Sequence, residues 1–135
     1  VEDYIDALTW AKKVGGLTGL IKRADSNTRA IASFVKANDW IDFLAVKPKT
    51  RSNTSVCLKF TDPAVTRLSA DEQANFAKAI VAYLEKEGIG FDLGHYRDAP
   101  PGLRIWCGAT VQTRDVKALL PWIAKAFAAE KAKLK

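Results

Sequence analysis

The stretch GHYRDAPPGLRIWCG, residues 94–108, ends in a run with two unequal faces. In LRIWC, residues 103–107, side chains alternate across an extended strand. Leu103, Ile105 and Cys107 then share one face, and Arg104 and Trp106 share the other. The apolar face needs a covering layer, whereas a guanidinium beside an indole does not fit under the same layer. A strand buried on one side belongs to a sheet with helices packed on that side only. Pro100-Pro101-Gly102 stiffens the approach to this strand, and the chain's single histidine, His95, lies just upstream with Arg97.

Outward from this stretch, the period switches between two and 3.6. SVCLKF, residues 55–60, alternates with Val56, Leu58 and Phe60 on one face, and IDFLAV, residues 41–46, alternates with Ile41, Phe43 and Ala45. The polar connection KPKTRSNT between them predicts an antiparallel pair joined by a long loop. IGFDL, residues 89–93, reads as a further short strand. Helical spacing marks residues 2–14, where Tyr4, Ile5, Leu8 and Ala11 form a stripe that ends at Gly15-Gly16. A second stripe runs through Leu17, Leu20, Ile21, Ala24, Ile31, Phe34 and Val35 and is expected to end near Asn38. Ser69-Ala70-Asp71-Glu72 is a capping box opening a helix through Phe76, Ala77, Ile80 and Leu84 to Gly88. The last helix starts near residue 113 and carries Val116, Leu119, Leu120, Ile123 and Phe127, with Pro121 expected to kink or restart it. The order predicts an α+β two-layer sandwich, a small, mostly antiparallel sheet with helices on one face. Residues 1–135 form one domain, and residues 1–38 are its opening helical segment.

Composition narrows the function classes. No apolar run is long enough to span a membrane. Cys57 and Cys107 are the only cysteines and have no metal-ligand spacing, so a metal site is not expected, and a reducing cytoplasmic setting is. The net charge of +6 comes from 21 basic and 15 acidic side chains, with a basic cluster only at Lys125, Lys131, Lys133 and Lys135. Cations suit a helix C-terminus, so this tail reads as a solvated helix end. The chain holds no methionine and opens on a helical pattern at Val1, which predicts a part of a longer protein. No Gly-rich phosphate loop, nucleophile elbow or histidine-based triad is present.

Arg104 is the residue type suited to a carboxylate, which its planar fork can hold by two parallel hydrogen bonds. Taken singly, Arg104 could equally pair with a neighbouring acid, Arg97 with Asp98, and His95 with backbone. Their convergence around one rigid turn is what suggests an anion-gripping loop.

The stretch GHYRDAPPGLRIWCGAT resembles the C-terminal domain of the phosphoserine aminotransferase family, fold-type-I enzymes that use pyridoxal phosphate. TRSNTSVCLKF, ADEQANFAKAIVAYLEKEGIGFDLG and VEDYIDALTWAKKVGGL extend the likeness over essentially the whole chain, in the manner of α-proteobacterial-type members. The resemblance implies that Arg104 binds the substrate α-carboxylate. It also implies that His95 and Arg97 help bind a substrate phosphate. The family's Gly-His-Arg segment reads Gly94-His95-Tyr96-Arg97 here, so a tyrosine separates the two cations. The implied reaction, in serine biosynthesis, moves an amino group between glutamate and 3-phosphohydroxypyruvate, giving phosphoserine and 2-oxoglutarate. Both amino donors share an α-carboxylate and differ at the far end. The cofactor, pyridoxal 5'-phosphate, would be held by a large domain that carries the Schiff-base lysine, and the parent would be a cytoplasmic homodimer. The segment alone is expected to be inactive.

Two other classes fit parts of the pattern. A stand-alone amino-acid-binding regulatory module would share the layers but usually begins with a strand. An RNA-binding domain would suit the sequence pI near 9.4, but only Trp106 is placed to stack on a base. Neither nucleic acid nor membrane is therefore expected as a partner.

Overall fold

The computed structural model describes residues 1–134; Lys135 lies outside the described residues. Helix α1, Glu2–Lys13, and helix α2, Gly16–Ala37, are separated by two glycines with positive φ, Gly15 at 104° and Gly16 at 62°. Only glycine takes that backbone freely, which is why the chain turns there. Strand β1, Ile41–Phe43, is followed by a 3-10 turn at Pro48–Thr50 and by strand β2, Ser55–Phe60. A short helix α3, Pro63–Thr66, precedes α4, Ala70–Lys86; strand β3, Leu103–Trp106, and helix α5, Thr113–Lys131, complete the chain. The sheet has the order β1-β2-β3 and is antiparallel throughout, with Ile41 opposite Phe60, Cys57 opposite Arg104, and Ser55 opposite Trp106.

This is the α+β sandwich expected from the alternation of period. Val56, Leu58, Leu103 and Ile105 on the inner face are 1–2% exposed and pack with Ile31, Ile80, Leu84 and Ile123 from α2, α4 and α5. Each such side chain contributes about 1.5–3 kcal/mol by leaving water. At the far end of the core, Trp40 stacks on Phe127 at 4.0 Å, and Phe76 meets Phe60 and Phe127 edge-on. The capping box is complete, with Ser69 Oγ accepting from the Glu72 N–H and the Glu72 carboxylate accepting from the Ser69 N–H. The Ser69 hydroxyl, which also donates to the Glu72 carboxylate at 2.7 Å, and then the Ser69 N–H pull the Glu72 carboxyl below its ordinary value.

Two expectations need correction. IGFDL does not form a strand: Asp92 takes a left-handed φ of 55°, and the segment meets β3 through a single bridge, Gly94 with Leu103. Residue 92 turns the chain where a strand would need extended backbone. Strand β1 stops at Phe43 rather than Val46, because the Ala45 and Val46 carbonyls accept from Arg51 instead of continuing the ladder. Helix α5 runs through Pro121 without restarting. The stripe of α1 is also left uncovered: none of its residues is buried, and Tyr4, Ile5 and Leu8 are exposed along with Leu17 and Ile21 of α2.

Asp62 joins two ends of the molecule. Its side chain caps α3 by accepting from the Ala64 N–H and meets Lys131 Nζ of α5 at 2.7 Å. The Lys131 hydrogen bond lowers the Asp62 pKa, burial opposes it, and the Ala64 N–H lowers it further. A depressed folded-state pKa stabilises the fold above the unfolded carboxyl's value near 3.8, and that contribution is lost as pH falls through the lower folded value. Asp62→Asn is therefore expected to cost about 1 kcal/mol at pH 7 and to flatten the acid limb of stability below about pH 4. Urea unfolding at pH 7 and pH 3 checks this; parallel losses at both would contradict it.

No helix among the described residues is long and apolar enough to cross a membrane.

Candidate functional site

The outer face of the sheet is where the polar strand residues meet. Arg104 extends from β3 across its own face, where its Nη2 lies 2.7 Å from the Asp92 carboxylate. The same nitrogen donates to the Asp92 carbonyl, and Nε donates to the Gly94 carbonyl, both at 3.3 Å. The Tyr96 ring lies 4.9 Å from the guanidinium, and the Tyr96 hydroxyl is 3.0 Å from Ser55 Oγ. Arg104 is thus fixed by two loop carbonyls, an aromatic ring and a carboxylate. Its side chain is 16% exposed, whereas that of Asp92 is 82% exposed. The Asp92 hydrogen bond raises the already high pKa of the guanidinium, with burial acting the other way.

The local sequence explains this placement. A Cβ on Gly102 would lie 2.0 Å from the Leu58 carbonyl oxygen, so only glycine lets the loop approach β2 and start β3 in register. The turn at 96–99, closed by the Ala99 N–H on the Tyr96 carbonyl at 3.0 Å, hands the chain to the two prolines. The Arg104 N–H donates to the Leu93 carbonyl, which holds residues 92–94 beside the strand. Trp106 is 55% exposed on the same face as Arg104.

The three residues singled out in the sequence do not converge. His95 and Arg97 line a groove with Lys78, Val81 and Glu85 of α4. Tyr96, between them, turns the opposite way onto Arg104. Sequence reading missed Tyr96 and Asp92 as parts of the outer face, whereas the alternation in SVCLKF already puts Ser55 on the side away from Val56, Leu58 and Phe60. Tyr96 carried a signal, because it is the residue that interrupts the Gly-His-Arg pattern; Asp92 carried none.

Cysteines 57 and 107 are free, and burial pushes the Cys107 thiol up. Among the described residues no three His, Cys, Asp or Glu side chains gather as metal ligands. The residues present do not form a pyridoxal phosphate site either. Every lysine among the described residues is exposed except Lys59, which is half-buried on β2 opposite Asp42. None is enclosed beside a phosphate cradle.

No family model matches the chain. It is 45% identical over 126 residues to a phosphoserine aminotransferase of Methanosarcina barkeri and 43% identical to that of Methanosarcina mazei. Each match covers 93% of this chain and 31% of the relative, so the chain spans about a third of the length of these proteins. Among solved structures, the phosphoserine aminotransferase from Bacillus circulans subsp. alkalophilus superposes with a TM-score of 0.70 at 19% identity, covering 90% of this chain and 30% of that one. A phosphoserine aminotransferase studied for radiation damage of its Schiff base gives 0.69 at 18% identity, with the same coverage. In sequence and in fold, nearly the whole chain is similar to about a third of a phosphoserine aminotransferase.

Proposed function

We propose that the chain is the small domain of a phosphoserine aminotransferase and supplies one wall of its substrate site. The observation that carries this reading is Arg104, a rigidly held guanidinium on the uncovered sheet face of a chain similar to that enzyme. In this reading Arg104 holds the α-carboxylate shared by glutamate, phosphoserine and their 2-oxo acids. Two parallel charge-assisted hydrogen bonds fix the plane of that carboxylate and so orient the Cα–H bond, a positioning contribution. Pyridoxal 5'-phosphate, held by a large domain, supplies the electron sink. The large domain also covers Trp106 and Tyr96, while the bare stripe of Tyr4, Ile5 and Leu8 packs on the rest of a homodimeric parent. Two free cysteines suit a reducing cytoplasm. Alone, the chain is inactive, as no lysine among the described residues is enclosed in a cofactor site.

His95 and Arg97 hold the substrate phosphate in this account, which requires the loop at 94–98 to turn from the α4 groove toward Arg104. His95→Ala in a complete enzyme carrying this segment is therefore expected to lower kcat/KM for phosphoserine about tenfold and for glutamate much less. Single-turnover half-reactions with each amino donor measure it. An equal loss for both would remove His95 from phosphate recognition.

A further inference from the structure

The loop between β1 and β2 holds a second guanidinium in an unusual state. Arg51 Nε donates to the Ala45 carbonyl at 3.0 Å and Nη2 to the Val46 carbonyl at 3.4 Å, and the guanidinium carbon lies 4.0 Å from the Phe43 ring centre. No carboxylate lies within ion-pair distance of it among the described residues. An arginine has five N–H donors, and two are used here. The side chain is half-buried, so its orientation is set and its charge is left unanswered.

That charge borders a cavity of about 300 Å³, with Phe43, Ser52, Ser55 and Cys57 on its other walls. This is the small end of the range for ligand sites, suited to a few non-hydrogen atoms. The cavity also adjoins the Arg104 cluster. Cys57 sits opposite Arg104 in the ladder, and Ser55 Oγ contacts the Tyr96 hydroxyl that lies over Arg104. The geometry points to a second oxyanion subsite at Arg51, which takes the distal carboxylate or phosphate of a ligand whose α-carboxylate sits on Arg104. This rests on the reading given under Proposed function and adds a distal-end contact from the β1–β2 loop. A fixed planar fork loses little side-chain freedom when an oxyanion arrives, and a free donor set matches either a carboxylate or a phosphate.

The test uses the 135-residue chain and two probes, glutarate and inorganic phosphate, followed by NMR at the Arg51 and Arg104 Nε–Hε resonances. A saturable shift at Arg51 is expected. With glutarate alone active the subsite reads the carboxylate end, and with phosphate active it reads the phosphate end. Arg51→Gln is expected to weaken the active probe at least about tenfold. Cys57→Leu, which fills the cavity and leaves the guanidinium in place, should weaken it similarly while the backbone spectrum stays otherwise unchanged. No saturable shift at Arg51 with either probe, or unchanged affinity in both variants, overturns the inference. That result would leave the roles of Arg104 and His95 standing, since those are read from half-reactions of the complete enzyme.

Discussion

Arg104→Ala in a complete enzyme carrying this segment is expected to lower kcat/KM for glutamate and for phosphoserine together, by about 10- to 150-fold each. The figure follows from removing a charge-assisted contact of about 1.5–3 kcal/mol from a partly desolvated site, at 1.36 kcal/mol per tenfold in rate. The losses should be parallel because the α-carboxylate is the group the two donors share. Arg104 already holds a carboxylate, that of Asp92, at 2.7 Å. Asp92 is a weak competitor: it is well exposed, meets one guanidinium nitrogen, and an exposed pair of this kind contributes 1 kcal/mol or less. A substrate carboxylate using two nitrogens displaces it at small cost. Arg104→Lys should recover only part of the loss, since an ammonium keeps the charge and gives up the fork. Kinetics equal to those of the parent enzyme would refute the role given to Arg104.

Asn27→Ala should destabilise the fold by about 3 kcal/mol and lower Tm by roughly 10 °C. Asn27 is fully buried on α2. Its Nδ2 donates to the carbonyls of Cys107, Gly108 and Val111 at 2.9, 3.2 and 3.0 Å, and its Oδ1 accepts from Thr113 Oγ1 at 2.7 Å. Two amide hydrogens therefore serve three carbonyls of the connection from β3 to α5. Truncation leaves the Cys107 and Val111 carbonyls and the Thr113 hydroxyl without this partner, the costly side of the hydrogen-bond balance, while the Gly108 carbonyl keeps the Val111 N–H at 3.0 Å. Because this node fixes the exit of β3, it also steadies the strand that carries Arg104. Thermal unfolding of the variant measures the effect, and a loss under 1 kcal/mol would show that water replaces the amide.

Much of this architecture was legible in the alternation of apolar residues. Period two in SVCLKF and LRIWC placed Arg104 and Trp106 on the face away from the helices, because that period leaves no other arrangement once Leu103 and Ile105 are buried. The capping box set the start of α4 for an equally local reason. IGFDL misled because its apolar alternation is short and the deciding feature, the left-handed backbone at Asp92, leaves no apolar pattern. The end of β1 was illegible because a side chain from the following loop, Arg51, takes its carbonyls. Asn27 had a signal that pattern reading passes over. It lies between Ala24 and Ile31 on the buried side of α2, and a polar residue in such a stripe must find partners. The separation of His95 and Arg97 from Arg104 is a tertiary fact, set by Tyr96 turning onto the sheet while its neighbours face α4.

The most direct measurement is a crystal structure of a complete enzyme carrying this segment, with phosphoserine bound. The phosphoserine α-carboxylate is expected on the Arg104 guanidinium through two hydrogen bonds, with Asp92 displaced. Phosphoserine bound with Arg104 still paired to Asp92, and its carboxylate held by other residues, would contradict it.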